Sequence, residues 1–233
     1  MALKQIDGPR LTPASGKPPE RLVVLLHGYG ADGNDLIGLA QHWRRLLPTT
    51  LFVAPHAPEP CEQSPHGYQW FSIRSFDERE RLEGARKAAP VLESFLDREL
   101  ARHGLPPDRL ALVGFSQGTL MALHVGLRRE VAPAGIVGYS GALAGAASLK
   151  AEARCRPPIV LVHGDRDTMI PVSSLFATAN ALAEAGLGAE WHISRGVAHS
   201  IDPEGLQIGG NFLALTLAGR IKPSPAPIEV NLA

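Results

Sequence analysis

The sequence predicts a doubly wound α/β protein with a mostly parallel central sheet, and two observations lead to that prediction. First, six short runs rich in Leu, Val and Ile stop at glycine, proline or a polar residue, and almost none alternates apolar with polar residues. Continuous apolar runs suit strands that are covered on both faces, as the strands of parallel sheets are. Second, segments with Leu or Ala at three- and four-residue steps lie between these runs, so strand and helix alternate along the chain.

The predicted elements follow in chain order. The strands are expected at 22–27, 51–54, 110–113, 136–139, 159–163 and 190–194. Two helical stripes stand out, at 82–100 ending at Gly104 and at 175–182 ending at Gly186. Pro90 inside the first stripe predicts a kink or a late start for that helix. We expect a single domain over 1–233, with the proline-rich ends, 1–20 and 222–233, as extended tails or edge-hugging arms.

The composition argues against several classes of protein. Twenty-three Lys and Arg balance 23 Asp and Glu, so no general basic field would attract nucleic acid or anionic lipid. No apolar run is long enough for stable membrane insertion, and 1–20 lack the apolar core of a signal peptide. Two lone cysteines, Cys61 and Cys155, fit a reducing compartment. We therefore expect a cytoplasmic protein with no nucleic-acid partner, and the scattered histidines predict no metal site.

A candidate nucleophile lies where the third predicted strand ends. Residues 114–118 read GFSQG, which is a GxSxG motif between an apolar strand and a helical pattern. Such a turn holds Ser116 in a strained conformation, lifts its hydroxyl out of the sheet and aims the N–H of Gln117 at a developing oxyanion. The strand and helix on either side favour a catalytic serine over a chance match in a glycine-rich loop.

A serine nucleophile needs a base and a carboxylate, and the sequence offers both downstream. His199 lies in a small-residue loop after the last predicted strand, and its imidazole has a suitable pKa to take the serine proton. The loop after the strand at 159–163 offers two acids, Asp165 and Asp167, and reasoning from the residues alone does not choose between them. Either choice gives the order Ser, Asp, His, which is the order of α/β-hydrolases.

A glycine-rich loop supports a second interpretation. Residues 28–33 satisfy GxGxxG, which would make the chain an NAD-dependent oxidoreductase. That fingerprint requires an acid at the end of the second strand, and none occurs there before Glu59. The loop is better explained as an oxyanion element in which a backbone N–H near Tyr29 faces that of Gln117. A non-catalytic binding module on the same fold is a third alternative.

Several motifs together resemble the phospholipase/carboxylesterase family, which includes acyl-protein thioesterases and small bacterial carboxylesterases. They are LHGYGAD at 26–32, APHAP at 54–58, GYQWF at 67–71, GFSQG at 114–118, GDRD at 164–167 and VAHS at 197–200. The resemblance implies an α/β-hydrolase fold, a Ser116, Asp167 and His199 triad, and an oxyanion hole from the N–H groups of Tyr29 and Gln117, with no cofactor. Tyr29 replaces the Leu common in the thioesterase branch, which favours a bacterial esterase.

The substrate pocket and partners are predicted less sharply. Four residues, Trp70, Phe71, Met169 and Ile170, are candidates to line an apolar acyl or alcohol pocket, the alternative being that they are core. Too few residues separate 139 from 159 for a large cap domain. We expect a small-molecule ester as substrate, with an acyl group borne on a protein as the second option. Family members often pair through apolar surfaces, so the resemblance also raises a homodimer.

Overall fold

A seven-stranded sheet forms the centre of the molecule in a computed structural model that describes residues 3–74 and 77–222. Its strands are β1 (Arg10–Leu11), β2 (Arg21–Leu26), β3 (Thr50–Val53), β6 (Leu110–Phe115), β7 (Gly135–Tyr139), β8 (Ile159–Gly164) and β9 (Glu190–Ser194). The spatial order is β1-β3-β2-β6-β7-β8-β9, and every neighbouring pair is parallel except β1 with β3. The short strands β4 (Glu59–Pro60) and β5 (Tyr68–Gln69) form a separate antiparallel pair. All six predicted strands are confirmed, with small shifts at their ends.

Helices cover both faces of the sheet. They are α1 (Gly33–Trp43), α2 (Glu78–His103), α3 (Gln117–Gly126), α4 (Ala146–Glu152), α5 (Ser173–Glu184) and α6 (Pro203–Leu217). Side chains of α2, α3, α4 and α5 pack with Leu22, Val24 and Leu26 of β2 on one face. Those of α1 and α6 pack with Val23 and Leu25 on the other face. Because consecutive residues of a strand point to opposite faces, a strand buried on both sides must be apolar at every buried position, as β2 is over residues 22–26.

The long helix α2 begins and ends at clear capping residues. The Asp77 carboxylate accepts the N–H of Glu80 at 2.7 Å, and Gly104 closes the helix in the left-handed conformation at φ 61°. Pro90 lies inside a helix that is continuous from Glu78, so the late start predicted from it is wrong. None of the helices in the described part of the chain is long and apolar enough to cross a membrane.

The N-terminal segment runs along the edge of the sheet. Arg10 and Leu11 pair antiparallel with β3, and Ile6 is buried. The guanidinium of Arg10 lies 2.9 Å from the fully buried carboxylate of Glu99 on α2, and Arg98 donates to the carbonyl of Ile6 at 2.8 Å. This part of the predicted tail is therefore an edge arm. Of the tail predicted at 222–233, residues 223–233 lie outside the described residues.

The topology brings the candidate site together. Strands β2, β6, β8 and β9 are parallel, so the loops that follow them all leave the sheet at the same edge. These loops carry the glycine-rich segment, the GxSxG serine, the two candidate acids and the candidate histidine. Residues 140–158, between β7 and β8, contain only the seven-residue α4, so no large cap covers that edge there.

Candidate active site

Ser116 lies at the sharp turn between β6 and α3. Its backbone has φ 54° and ψ −116°, a conformation that a residue with a side chain adopts at a cost of about 1–3 kcal/mol. The Ser116 N–H donates to the carbonyl of Tyr139 at 2.9 Å, and α3 begins at the next residue. The strained turn predicted from GxSxG is present, and it sets the side chain on the cavity that lies above the sheet edge.

The two glycines of the motif are required by close backbone contacts. A Cβ on Gly114 would lie 2.4 Å from the backbone of Gly118, and one on Gly118 would lie 1.8 Å from the carbonyl oxygen of Leu26. Neither neighbour is a flexible side chain that could move aside. The absence of both side chains lets α3 start directly against the end of β2, and this contact fixes the height of Ser116 above the sheet.

His199 and Asp167 are directly paired. The Nδ1 of His199 lies 2.7 Å from Oδ2 of Asp167, whose side chain is fully buried. The other carboxylate oxygen accepts the N–H groups of Met169 and Ile170 at 3.0 and 2.8 Å. The imidazole packs against the tilted ring of Phe115, with 4.8 Å between ring centroids, and so lies beside the residue that precedes Ser116.

Ser116 and His199 line the same cavity. Within residues 3–74 and 77–222, neither the Ser116 hydroxyl nor Nε2 of His199 has a hydrogen-bond partner. Catalytic hydrogen bonds are often long or unmade before a substrate binds, so the lack of one here is compatible with a serine–histidine pair. The pairing on Nδ1 leaves Nε2 as the nitrogen that could take the serine proton.

Asp165, the alternative acid, has a different partner. Its side chain is exposed, and Oδ1 accepts the N–H of Gly196 at 2.6 Å. The contact ties the loop after β8 to the loop after β9. Of the two acids that the sequence left open, Asp167 is therefore the one that contacts His199, whereas Asp165 braces the loop that carries this histidine.

His163 is a neighbour of the pair that the sequence analysis did not single out. It is buried at the end of β8, with Nε2 2.8 Å from the carbonyl oxygen of Ile170 and 3.4 Å from Oδ2 of Asp167. Both contacts are acceptors, so Nε2 carries a proton and donates. The spacing of His163 four residues before Asp167 at a strand end was the signal that could have indicated it.

The glycine-rich loop lies directly beside the serine. A Cβ on Gly28 would be 3.2 Å from Cβ of Ser116, and both Tyr29 and Gln117 line the cavity. The N–H of Gly30 donates to Tyr68, whereas those of Tyr29 and Gln117 have no hydrogen-bond partner among the described residues. These two free donors next to Ser116 are the ones expected for an oxyanion hole.

The loop is supported from beneath by buried aromatic residues. Burial lowers the pKa of His27, so its imidazole is neutral and accepts the N–H of Ala57 at 2.9 Å. Trp70 donates its indole N–H to the carbonyl of His27 at 3.0 Å. Trp70 is 1% exposed and does not line the cavity, so the prediction that it is a pocket residue is wrong. It belongs to the core, the alternative that the sequence left open, and it fixes the height of the loop.

The side chain of Gln117 holds the segment of Trp70 and Phe71 in place through two hydrogen bonds. Its Oε1 accepts the N–H of Trp70 at 2.9 Å, and its Nε2 donates to the carbonyl of Phe71 at 2.8 Å. Sequence reasoning assigned only the backbone of Gln117 to the site and missed this contact. The amide satisfies two buried backbone groups and thereby places Phe71 on the cavity wall.

The cavity has a volume of about 440 Å³. Its lining residues are Tyr29, Gln63, Phe71, Ile73, Arg74, Arg81, Ser116, Gln117, Leu120, Ala142, Met169, Ile170, Pro171, Ser174 and His199. Phe71, Met169 and Ile170 thus lie where the sequence predicted pocket residues. In the part of the chain that the structure describes, no three His, Cys, Asp or Glu residues are grouped as metal ligands would be.

The dinucleotide interpretation of 28–33 conflicts with the local structure. The carboxylate of Asp32 caps α1 and accepts the N–H groups of Asn34 and Asp35 at 2.7 and 3.2 Å. A bound pyrophosphate would need that same helix N-terminus, and the fixed negative charge would repel it. A Cβ on Gly67 would lie 2.0 Å from the carbonyl oxygen of Gly30, so the loop is also covered by chain.

The parallel sheet with helices on both faces, together with a serine elbow facing a histidine–aspartate pair, defines an α/β-hydrolase. Residues 11–217 match the sequence profile of the phospholipase/carboxylesterase family. The chain belongs to that family, as the motifs predicted, and its enzyme class is carboxylic ester hydrolase.

Individual relatives span nearly the whole chain. The crystal structure of esterase PE8 is 44% identical, with a TM-score of 0.86, and the match covers 90% of this chain and 98% of that one. An acyl-protein thioesterase 1 of Neurospora crassa is 31% identical over 224 residues, covering 88% of this chain and 90% of the relative. Esterase YpfH of Escherichia coli K12 is 29% identical over 202 residues, covering 86% and 85%.

Proposed function

We propose that the protein hydrolyses carboxylic esters through an acyl-enzyme formed on Ser116, with His199 as the general base and Asp167 as its orienting carboxylate. The observation that carries the proposal is the 2.7 Å contact between His199 Nδ1 and Asp167 Oδ2 in the cavity that Ser116 also lines. Because Nδ1 is held as a donor to a carboxylate, Nε2 is left unprotonated and ready to accept a proton.

In the first half-reaction the Ser116 oxygen attacks the ester carbonyl carbon while its proton moves to Nε2 of His199. The carbonyl oxygen gains the negative charge and is bound by the N–H groups of Tyr29 and Gln117. The tetrahedral intermediate then collapses, the bond to the alcohol oxygen breaks, and the alcohol leaves with the proton from the imidazolium. The positive charge on His199 is stabilised meanwhile by the buried Asp167 carboxylate.

In the second half-reaction water takes the place of the alcohol. His199 removes a proton from the water as it attacks the acyl carbon, and the same two N–H groups hold the second oxyanion. Collapse breaks the bond to Ser116, which recovers its proton from the imidazolium, and the carboxylic acid leaves. Every proton in the cycle is carried by side chains of this chain, so the scheme needs no cofactor.

The substrate we favour is a small-molecule oxygen ester. The cavity wall has apolar surface from Phe71, Ile73 and Leu120 for an acyl or alcohol chain, and the volume of about 440 Å³ suits a small ligand. A thioester on an acylated protein is the second candidate, because Met169 on the cavity rim is 63% exposed and leaves access from outside. Parallel assays of oxygen esters and thioesters of matched chain length would separate the two.

The nucleophile assignment is tested with Ser116→Ala. We expect hydrolysis of p-nitrophenyl butyrate to fall by at least about a thousandfold with an unchanged melting temperature, and a fluorophosphonate probe to label the parent protein but not the variant. Ser173→Ala, an exposed serine at the start of α5, is the matched control and should behave as the parent. Activity of Ser116→Ala within tenfold of the parent would refute the assignment.

The proposal also includes the cytoplasm as the working location. Cys61 and Cys155 are both free thiols, as is usual in a reducing compartment, and burial raises the pKa of Cys155 to about 11, so that thiol is unreactive. The homodimer raised by the family resemblance stays a prediction that analytical ultracentrifugation would test.

A further inference from the structure

Phe115, the residue before the serine in the GxSxG motif, has no part in the proposed mechanism, yet its ring contacts two loops of the site. The ring lies against the imidazole of His199, with 4.8 Å between ring centroids and 46° between ring planes. A Cβ on Gly28 would lie 3.3 Å from Cδ1 of the same ring. Phe115 therefore fills the space between the glycine-rich loop and the loop that carries the base.

The side chain of Phe115 lies outside the catalytic cavity. Phe115 is the last residue of β6, and its partly buried ring packs on the core that α1 and α6 cover. Among the described residues, Ser116 and His199 line the cavity and Phe115 does not. A change at residue 115 is therefore expected to act on the imidazole and not directly on a bound ester.

The contact with Asp167 fixes only one atom of the imidazole. Nδ1 of His199 is held at 2.7 Å from the carboxylate oxygen, and the ring can still tilt about that atom. Any such tilt changes the direction of Nε2, the nitrogen that takes the serine proton. The ring of Phe115 limits this tilt because it lies against the imidazole.

Several charged or titratable groups surround the imidazole. They are Asp167 at Nδ1, His163 beside that carboxylate, Asp165 bonded to the loop of the base, and Tyr29, Arg74 and Arg81 around the cavity. None of them is altered by a substitution at residue 115, so a difference between such variants reports the ring. The side chain of His199 is 14% exposed, so water screens its charge only in part.

We propose that Phe115 is a positioning residue for the base: its ring holds the imidazole of His199 at the angle that directs Nε2 to Ser116, and its π-face stabilises the imidazolium that forms during attack. The proposal deepens the esterase function and rests on it. A positive charge within about 6 Å of an aromatic centroid is attracted to the ring. The imidazole is neutral when it starts to act as a base, so this attraction grows toward the transition state and raises kcat.

Fluorinated phenylalanines at residue 115 test the electrostatic part. 3,5-Difluorophenylalanine and pentafluorophenylalanine nearly keep the shape of the ring and remove, in two steps, the negative charge of its face. We expect kcat for p-nitrophenyl butyrate to fall about twofold and then about fivefold, with KM within about twofold of the parent. Phe115→Leu also loses the flat surface against the imidazole, and its kcat should fall about tenfold or more.

NMR titration of the imidazole gives a readout that needs no turnover. The Cε1–H signal of His199 is identified by its absence in His199→Gln. With pentafluorophenylalanine at residue 115, we expect its titration midpoint about half a pH unit lower than in the parent, because the charged form loses stabilisation. Phe176→Leu is the matched control, since Phe176 is 40% exposed and its ring contacts Trp191, and it should leave kcat and the midpoint unchanged.

Parental kcat and an unmoved midpoint in the pentafluorophenylalanine protein would overturn the proposal. A raised KM with parental kcat would also overturn it, since that result indicates direct contact with the ester. The fluorinated proteins decide the question even where Phe115→Leu does not fold, because they keep the volume of the ring. Failure of the esterase function is distinguishable, because the parent protein would then hydrolyse no ester while the titration midpoints can still be compared.

Discussion

Replacing each acid of the loop after β8 by asparagine tests the most specific geometric claim. In Asp167→Asn, the amide oxygen would stay with the N–H groups of Met169 and Ile170, and the NH2 group would face Nδ1 of His199. Nδ1 must then accept, so the ring proton moves to Nε2, the nitrogen that has to receive the serine proton. If the amide were flipped, its NH2 group would face the N–H groups of Met169 and Ile170, and four donor hydrogens would meet with no acceptor. The orientation that keeps the proton on Nδ1 of His199 is therefore unfavourable.

The expected loss for Asp167→Asn is about four decades in kcat, or about 5 kcal/mol of transition-state stabilisation. Asp165→Asn keeps an acceptor for the N–H of Gly196 at an exposed site, so we expect activity within about threefold of the parent. Steady-state hydrolysis of p-nitrophenyl butyrate measures both, with circular dichroism as the folding control. Equal losses in the two variants, or more than a tenth of parental kcat in Asp167→Asn, would refute the reasoning.

Three further predictions concern stability. Gln117→Ala leaves the buried N–H of Trp70 and the buried carbonyl of Phe71 without a hydrogen-bond partner, so urea unfolding should show a fall of about 2–6 kcal/mol in the free energy of unfolding. A fall below about 1 kcal/mol would show that these two hydrogen bonds do not stabilise the fold. Gly118→Ala places a Cβ 1.8 Å from a carbonyl at the end of β2, so the protein should fold poorly, and a parental melting temperature would disprove the contact. Burial, with a contribution from a nearby arginine, lowers the pKa of His124 to about 4; the unfolded chain therefore binds the proton first, and stability falls as the pH drops from about 6.5 to 4. His124→Gln should flatten that part of the pH–stability curve, which thermal melts across this range would show.

Much of the fold could be predicted because the strands are apolar on both faces. Residues 22–26 of β2, for example, include no polar residue, and the alternation of such runs with helical stripes then indicates the fold class. The two-residue strands β1, β4 and β5 carry too few residues for any periodicity. The start of α2 was also obscure, because its first residues are charged and only the capping carboxylate of Asp77 marks the boundary.

Some residues of the candidate site could likewise be located from the sequence, and others could not. Ser116 and His199 could be located because each follows a predicted strand, and parallel strands bring their following loops to one edge. The choice between Asp165 and Asp167 depends on how one loop turns, which their spacing of two residues does not reveal. The Gln117 amide bonds the backbone of Phe71 and of Trp70, which are 46 and 47 residues away in sequence. Because its partners are backbone groups, no side-chain pattern in the sequence indicates these hydrogen bonds.

The short edge arm also bears on how the protein behaves at high concentration. Without β1, strand β3 would be the edge strand and would expose a row of unpaired N–H and C=O groups. Exposed edges of this kind can pair with strands of other molecules. The ion pair between Arg10 and the buried carboxylate of Glu99 holds the arm against the sheet, so the arm covers this edge. A proteolytic cut or a bulky fusion that pulled this arm away would therefore promote aggregation through the exposed edge of β3.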